Sequence, residues 1–464
     1  MAFWDTILFN LPEVSGPQQR KLSFKEKMKW TGIVLGLFFV LGMIPLFGLG
    51  ENSLQQFEFL SLILGAEFGS IISLGIGPLV TASIVMQLLV GSGILNMDLN
   101  THDGKKRFQG LQKLGAIFFI IFESGIYIFM GGLAPASELA GTALFFQLEL
   151  ILVFQLFLGG VLIMFMDEVV SKWGFGSGIS LFIAAGVSKS IFVRALSPLP
   201  SPTNPNISTG AIPALFQSLA AGDPTTAVLM IAALLATIIV FVVAVYGQAM
   251  KIEIPLSFGR VRGHGIRWPL NFIYTSNIPV ILTAALIANV QLWARLLQNW
   301  GHPLLGTFSG NSPQSGLVFW LYSPDIVRNI ITGSLSWTHI GQASVYLFFM
   351  IVGAVVFSVF WVQTAGMDAK AQAKKMIASG LQIPGFRKDE RVLETLLNRY
   401  IWPLTVMGGI AVGLMASLAD LTGALSSGTG ILLTVMIVYK LYEEIAKEHM
   451  MDMYPMMRKM MGQE

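Results

Sequence analysis

Groups able to do chemistry are few along this chain. It has no cysteine, which removes disulfides, thiolate metal sites and cysteine nucleophiles. The five histidines, His102, His264, His302, His339 and His449, are scattered, and no pair has metal-ligand spacing. There is no Walker loop and no dinucleotide fingerprint. Gly174-Phe-Gly176-Ser-Gly178 is glycine-rich but leads into an apolar run, not a βαβ unit. These residues point to no enzyme, no cofactor and no metal, and any energy source must be a partner. The polar groups that stand out are those set inside apolar runs: Thr81, Glu123 and Asn277. Polar groups at membrane depth are costly, so they face protein or water. Glu123 is the main ionisable group placed mid-run, whereas Glu149 and Asp420 fall near run ends and receive no role.

The elements that must carry these groups are apolar. Of 464 residues 54% are hydrophobic and 12% charged, with a mean hydropathy of +0.69. That composition belongs to a polytopic membrane protein. The organising stretch is Phe57–Gly93, which holds only two acids, Glu58 and Glu67, and no Lys or Arg. It is longer than the roughly 20 residues of one crossing. Gly75, Gly77 and Pro78 break it where a helix restarts. The pattern predicts a short apolar half-helix over about 57–67, a glycine-rich bend, and a span over about 75–92. Broken backbone at membrane depth needs protein or a water-filled cavity around it. One long tilted helix with a proline kink is the competing reading.

Apolar runs predict spans at about 30–49, 75–92, 110–133, 144–166, 176–195, 225–248, 270–292, 343–364, 401–421 and 427–446. Ten spans return both termini to one side. Twenty-five of the 29 Lys and Arg fall on the side of the termini. Arg194, Arg295 and Arg328 fall on the other, and Lys189 lies within the fifth span. This bias places both ends in the cytoplasm of a cell bounded by that membrane. The expected organisation is a cytoplasmic segment over about 1–29, a first half over 30–195, an external hinge over 196–224, a second half over 225–446 and a cytoplasmic tail over 447–464. The halves echo each other. Gly176-Ser-Gly178-Ile179 opens the fifth span and Gly428-Thr-Gly430-Ile431 opens the tenth, while Pro78 and Pro279 fall early in the second and seventh. Halves of five spans run in opposite senses, the signature of an inverted repeat.

Two large cytoplasmic loops are expected at about 249–269, a β-hairpin, and 365–400, in which a short helix follows Asp389. Their basic clusters could meet anionic lipid or RNA phosphate.

At these residues the chain resembles the SecY protein-conducting channel, the α-subunit of the Sec translocon. Ser73-Leu-Gly-Ile-Gly-Pro78-Leu-Val-Thr-Ala-Ser-Ile-Val-Met-Gln87 is similar to one family signature, and Asp167-Glu168-Val-Val-Ser171-Lys-Trp-Gly-Phe-Gly176-Ser-Gly178-Ile to another. Tyr274-Thr-Ser-Asn277-Ile-Pro279 also fits, and Phe386-Arg387-Lys388-Asp389-Glu390-Arg391 resembles the archaeal and eukaryotic branch.

The resemblance implies an all-α polytopic membrane protein: ten transmembrane helices in two inverted five-helix halves, with a short re-entrant plug helix. It places a pore ring on Ile76, Val80, Ile179, Ile183, Ile281 and Leu433. Ile76/Val80 and Ile179/Ile183 are i,i+4 pairs on one helix face, which ordinary packing between spans would also produce. The plug falls on Phe57, Phe59, Leu60, Leu62, Ile63, Leu64 and Glu67, and a lateral gate on Thr81, Gln87, Glu123 and Asn277. Ribosome contacts fall on Arg260, Arg262, Arg387, Lys388 and Arg391. The implied partners are a SecE-like γ-subunit, a small β-subunit, the ribosome through rRNA phosphates, signal-recognition machinery, unfolded polypeptide and lipid. The implied function is passage of unfolded chains across the membrane and release of transmembrane segments sideways. An ion-coupled small-solute transporter shares inverted repeats and broken helices but needs coupling-ion ligands at mid-membrane. A poreless receptor or scaffold would not need the glycine-broken second span.

Overall fold

The computed structural model describes residues 10–17, 22–52, 66–95, 97, 101–200, 207–258, 265–309, 312–378, 381–382 and 390–453. Helices dominate: α1 (Phe24–Gly42), α2 (Gly77–Gly91), α3 (His102–Phe129), α4 (Ala143–Trp173), α5 (Gly178–Leu196), α6 (Ala211–Ala221) and α7 (Pro224–Ala249). The second part of the chain adds α8 (Ile278–Asn299), α9 (Gly316–Trp320), α10 (Ile326–Ile331), α11 (Trp337–Thr364), α12 (Ala369–Ala378), α13 (Glu390–Leu421) and α14 (Gly428–Met453). Among the described residues seven helices are long and apolar enough to cross a membrane: α3, α4, α5, α7, α8, α11 and α13. The protein is a multi-pass integral membrane protein. α2, with 15 residues, is apolar but short. Charged residues sit in the first turns of α1 and towards the end of α14.

Local chemistry explains the starts. Ser23 and Glu26 form a capping box on α1. Pro78 occupies the first turn of α2 and Pro279 that of α8, where a missing N–H costs nothing. Asp223 caps α7 through the amides of Thr225 and Thr226 at 3.1 and 3.3 Å.

Sequence expectation and structure differ at three places. α8 begins at Ile278 rather than near 270, because a strand runs to Asn271. The loop over 196–224 contains the 11-residue α6. The short helix expected after Asp389 is no separate element: Glu390–Leu421 is one helix of 32 residues that runs through Pro403.

The segment from 66 to 76 is not α-helical, yet Ile72, Ser73 and Leu74 are fully buried. It is received by protein. Leu46 N–H donates to Gly69 and Ile71 N–H to Ile44. The carbonyl of Ile71 lies so close to α4 that a Cβ on Gly159 would meet it at 1.8 Å. Near the end of α1, Gln155 of α4 accepts from Phe47 N–H at 2.9 Å and donates to Phe47 O at 3.0 Å. The irregular backbone thus finds partners in the chain around Ile44 and Leu46 and, at Phe47, in a helix side chain, as apolar surroundings require. The half-helix expected over 57–67 lies outside the described residues except for Ala66 and Glu67, which are non-helical.

The first and second parts of the chain meet along α2 with α8 and α11, and along α14 with α5. The expected hairpin forms from β3 (Lys251–Phe258) and β4 (Gly265–Asn271), after two short strands β1 (Glu51–Asn52) and β2 (Leu133–Ala134). Beyond β5 (Phe308–Ser309) and β6 (Ser312–Pro313), strand β7 (Leu381–Gln382) pairs with β3 at Ser257 and Phe258. The two large loops therefore share one three-stranded sheet.

Candidate pore and gate

Six aliphatic residues are expected at a constriction. Ile76 and Val80 come from the start of α2, Ile179 and Ile183 from α5, Ile281 from α8 and Leu433 from α14. Ile76, Val80, Ile183, Ile281 and Leu433 belong to one contiguous buried cluster, with Ile179 half-buried against it. That cluster is extensive and draws on helices from both parts of the chain. Val80, Ile179 and Ile281 also border a cavity of about 780 Å³. Its other walls mix apolar side chains such as Phe108, Phe175 and Trp361 with polar and charged ones, Lys105, Gln87, Lys440 and Glu444.

The polar groups at the α2–α3–α8 seam are close-set but differ from expectation by one member. Thr81 donates to Glu123 at 3.3 Å and to Gly77 O at 2.9 Å, and Asn289 of α8 donates to Thr81 at 3.0 Å. All three side chains are buried. Asn277 does not join them. It begins α8, about 18 Å along the helix from Asn289, and borders the cavity. Its Oδ1 accepts from Ser276 at 3.0 Å, and its Nδ2 has no partner among the described residues. Gln87 also stays apart, donating to Ser83 on its own helix at 3.0 Å. Asn289 was findable by the rule that singled out Asn277, an amide inside an apolar run.

Two further groups were not anticipated as a pair. Asp167, at the end of α4, accepts from Ile179 N–H at 3.0 Å and Ser177 Oγ at 3.5 Å, anchoring the start of α5. Asp420, at the end of α13, accepts from Thr429 N–H at 2.7 Å, from the Thr429 hydroxyl and from Tyr346 at 2.6 Å, anchoring the start of α14. The two glycine-flanked motifs thus resemble each other in geometry as well as in sequence.

Of the plug residues, Phe57, Phe59, Leu60, Leu62, Ile63 and Leu64 lie outside the described residues; Glu67 pairs with Lys189 of α5. Arg260, Arg262, Arg387 and Lys388 also lie outside them, and Arg391 is exposed in the first turn of α13.

A multi-pass bundle of apolar helices around an interior cavity is the architecture of a membrane channel or transporter. The SecY family model matches residues 70–442, and the model of the plug domain of Sec61p matches residues 37–69. The protein translocase subunit SecY of Methanothermobacter thermautotrophicus is 46% identical, with 97% of each chain covered. A solved protein-conducting channel superposes with a TM-score of 0.82 at 41% identity, covering 97% of this chain and 98% of that one. Sec61 in the canine ribosome-channel complex from the endoplasmic reticulum gives 0.79 at 40% identity, with the same coverage. The chain belongs to the SecY family.

Proposed function

We propose that this chain is the central pore-forming subunit of a protein translocation channel, passing unfolded secretory chains across the membrane and releasing transmembrane segments into lipid. The observation that carries the reading is the cavity bordered by Val80, Ile179 and Ile281, three of the residues expected in an aliphatic ring. A narrow aliphatic constriction dewets and so stops ions. Its side chains are flexible enough to part around a polypeptide and close behind it. The charged and polar groups in the cavity wall, Lys105, Lys440 and Glu444 among them, help to hydrate an entering chain.

Ten spans in two inverted halves, split near the loop over 196–224, fit the helix positions: the seven long helices together with α1, α2 and α14 account for every predicted run. The charge bias supports both termini in the cytoplasm, in the cytoplasmic membrane. Residues 57–67 act as the plug, in keeping with the match to a plug-domain model over 37–69. The α2–α3–α8 seam is the lateral gate, held by the bonds among Thr81, Glu123 and Asn289. Interhelical hydrogen bonds in membranes contribute about 0.6–2 kcal/mol each. An inserting apolar signal can outcompete them.

The shared three-stranded sheet brings the loops over 249–269 and 365–400 together, so Arg260, Arg262, Arg387, Lys388 and Arg391 can act as one surface for ribosomal RNA phosphate. The likeness to Sec61 in a ribosome-channel complex supports that partner. SecE-like and β subunits and signal-recognition machinery complete the assembly. Reconstitution into vesicles tests the reading: a secretory precursor should enter with an energy-supplying partner, and small solutes should show no coupled uptake. Solute uptake without precursor entry would favour the transporter.

A further inference from the structure

Asp167 and Glu168 stand side by side near the end of α4 and turn to different tasks. Asp167 anchors the start of α5, whereas Glu168 reaches α3. Its Oε1 forms an ion pair with Lys113, the Lys113 and Glu168 side chains being only 12% and 18% exposed. Its Oε2 accepts from the backbone N–H of Val14 at 2.8 Å. One carboxylate oxygen is thus committed to a helix and the other to the chain that precedes α1. Lys113 is engaged in the same way. Besides Glu168 it donates to the carbonyl of Pro12, and its Nζ stands 5.6 Å from the centroid of the Phe165 ring of α4.

Residues 12–15 complete the arrangement. They form neither helix nor strand, so their backbone groups need other partners. One turn beyond Glu168, on the same face of α4, Lys172 pairs with Glu13 and donates to Val14 O at 2.5 Å. Trp173 Nε1 donates to Ser15 O at 2.9 Å. The segment is a strap laid over the end of α4, and at Lys113 it also takes hold of α3. Ten residues further along α3, Glu123 meets Thr81 of α2. The two points lie about 15 Å apart on the helix axis. Where Lys113 is held therefore bears on how α3 presents Glu123.

We propose that the Lys113–Glu168 pair, under the strap of residues 12–15, is a pivot that positions α3 for the α2–α3–α8 seam. Lys113 and Glu168 are positioning residues that act through α3 on the bond between Thr81 and Glu123. The proposal rests on the reading of that seam as the lateral gate. With the pivot intact α3 moves together with α4, so parting the seam shifts both helices. With the pivot released α3 shifts by itself, the seam parts more readily, and weaker signals enter.

The test is insertion by reconstituted channels, scored per folded channel along a graded series of leucine-substituted signals. For a signal at the parent's half-insertion point, Lys113→Met and Glu168→Gln should each raise the ratio of inserted to rejected chains roughly three- to tenfold. Lys113→Arg keeps a cation within reach of Glu168 and should stay within about twofold of the parent. A merely structural role would lower yield or thermal midpoint and leave the threshold per folded channel unmoved. Singles with the parent's threshold, or an Arg variant as permissive as the Met variant, overturn the pivot. If a single fails to fold because it strands the other charge, the double Lys113→Met/Glu168→Gln decides. It leaves no charge unpaired, and an unchanged threshold in it overturns the pivot as well. Trp173→Phe loosens the strap and spares the pair, so its shift should be smaller and in the same direction; a shift larger than that of Lys113→Met would overturn the pair as the pivot. Thr81→Val separates the two readings. If it leaves the threshold unmoved, the seam is not the gate. If it moves the threshold while the pivot variants do not, the pivot alone fails.

Discussion

Two corners of the molecule are built alike and differ in what surrounds them. At the α4–α5 corner Asp167 anchors the start of α5, and at the α13–α14 corner Asp420 anchors the start of α14. Each of these helices carries residues of the proposed aliphatic ring. Asp167 borders the large cavity, and its partner Ser177 is exposed at 3.5 Å. Asp420 instead holds Thr429 and, across from α11, Tyr346, whose relative exposures are 0% and 3%. Water can replace a lost partner at the first corner and cannot at the second. The contrast teaches that a repeated motif need not carry a repeated energy: the same carboxylate cap is replaceable where it meets the cavity and structural where its partners are buried.

The largest effect expected from this comparison is at Gly428. A Cβ there would meet the carbonyl carbon of Ala419 at 2.0 Å, a backbone atom that cannot step aside as a side chain end could. Gly428→Ala should cost about 3 kcal/mol or more and sharply reduce the yield of folded protein. Gly178→Ala would meet Asp167 Cα at 2.6 Å and should also be harmful, but less so. Equal yields for the two variants would mean that the corners are equally tight.

Next is Asp420→Ala. It strands the Tyr346 hydroxyl and the Thr429 N–H where water does not reach. Each buried orphan costs about 1–3 kcal/mol, so the loss should be about 2–5 kcal/mol. Asp167→Ala should cost only about 1 kcal/mol, because Ile179 N–H and Ser177 can turn to cavity water. Thermal unfolding midpoints in detergent check the order. A larger drop for Asp167→Ala than for Asp420→Ala would break the comparison.

How much of this could be read in the sequence follows from the same physics. Long helices were legible because a span must be a continuous apolar run, and α4, α5, α7 and α11 lie close to where the runs put them. α8 was placed too early because the apolar residues Leu270, Phe272 and Ile273, next to the strand end, prolong the run. α13 was cut in two because its polar first turns and its apolar remainder read as different environments. The ring positions rest on family resemblance alone, since no spacing within one helix says which helices meet. Asp420 was seen but given no role: its cap spans nine residues across a turn, and Tyr346 comes from another helix altogether. The third gate residue was misassigned between two asparagines of one helix, because depth along α8, not residue type, separates Asn277 from Asn289.

The smallest predicted effect uses those two asparagines, both buried, of which Asn289 donates its amide to Thr81 and Asn277 leaves its Nδ2 without a partner among the described residues. Asn289 is 5% exposed and donates to Thr81 across the seam. When the gate opens, its amide loses that partner and meets signal or lipid, so its polarity favours the closed state. Asn289→Leu removes this preference, worth about 0.6–1.7 kcal/mol. The variant should therefore accept signals less hydrophobic than the parent requires. Asn277 borders the cavity but is itself only 3% exposed, and its Nδ2 has no partner among the described residues. Asn277→Leu removes that unpartnered amide and puts apolar surface at the seam, which closing on α2 buries at roughly 25 cal/mol per Å². This variant should reject the weakest signals that the parent accepts. The two thresholds should move in opposite directions along a graded series of leucine-substituted signals scored for insertion. A shift of both in the same direction would show that the seam treats the amides alike, and that the bond to Thr81 does not set the role of Asn289.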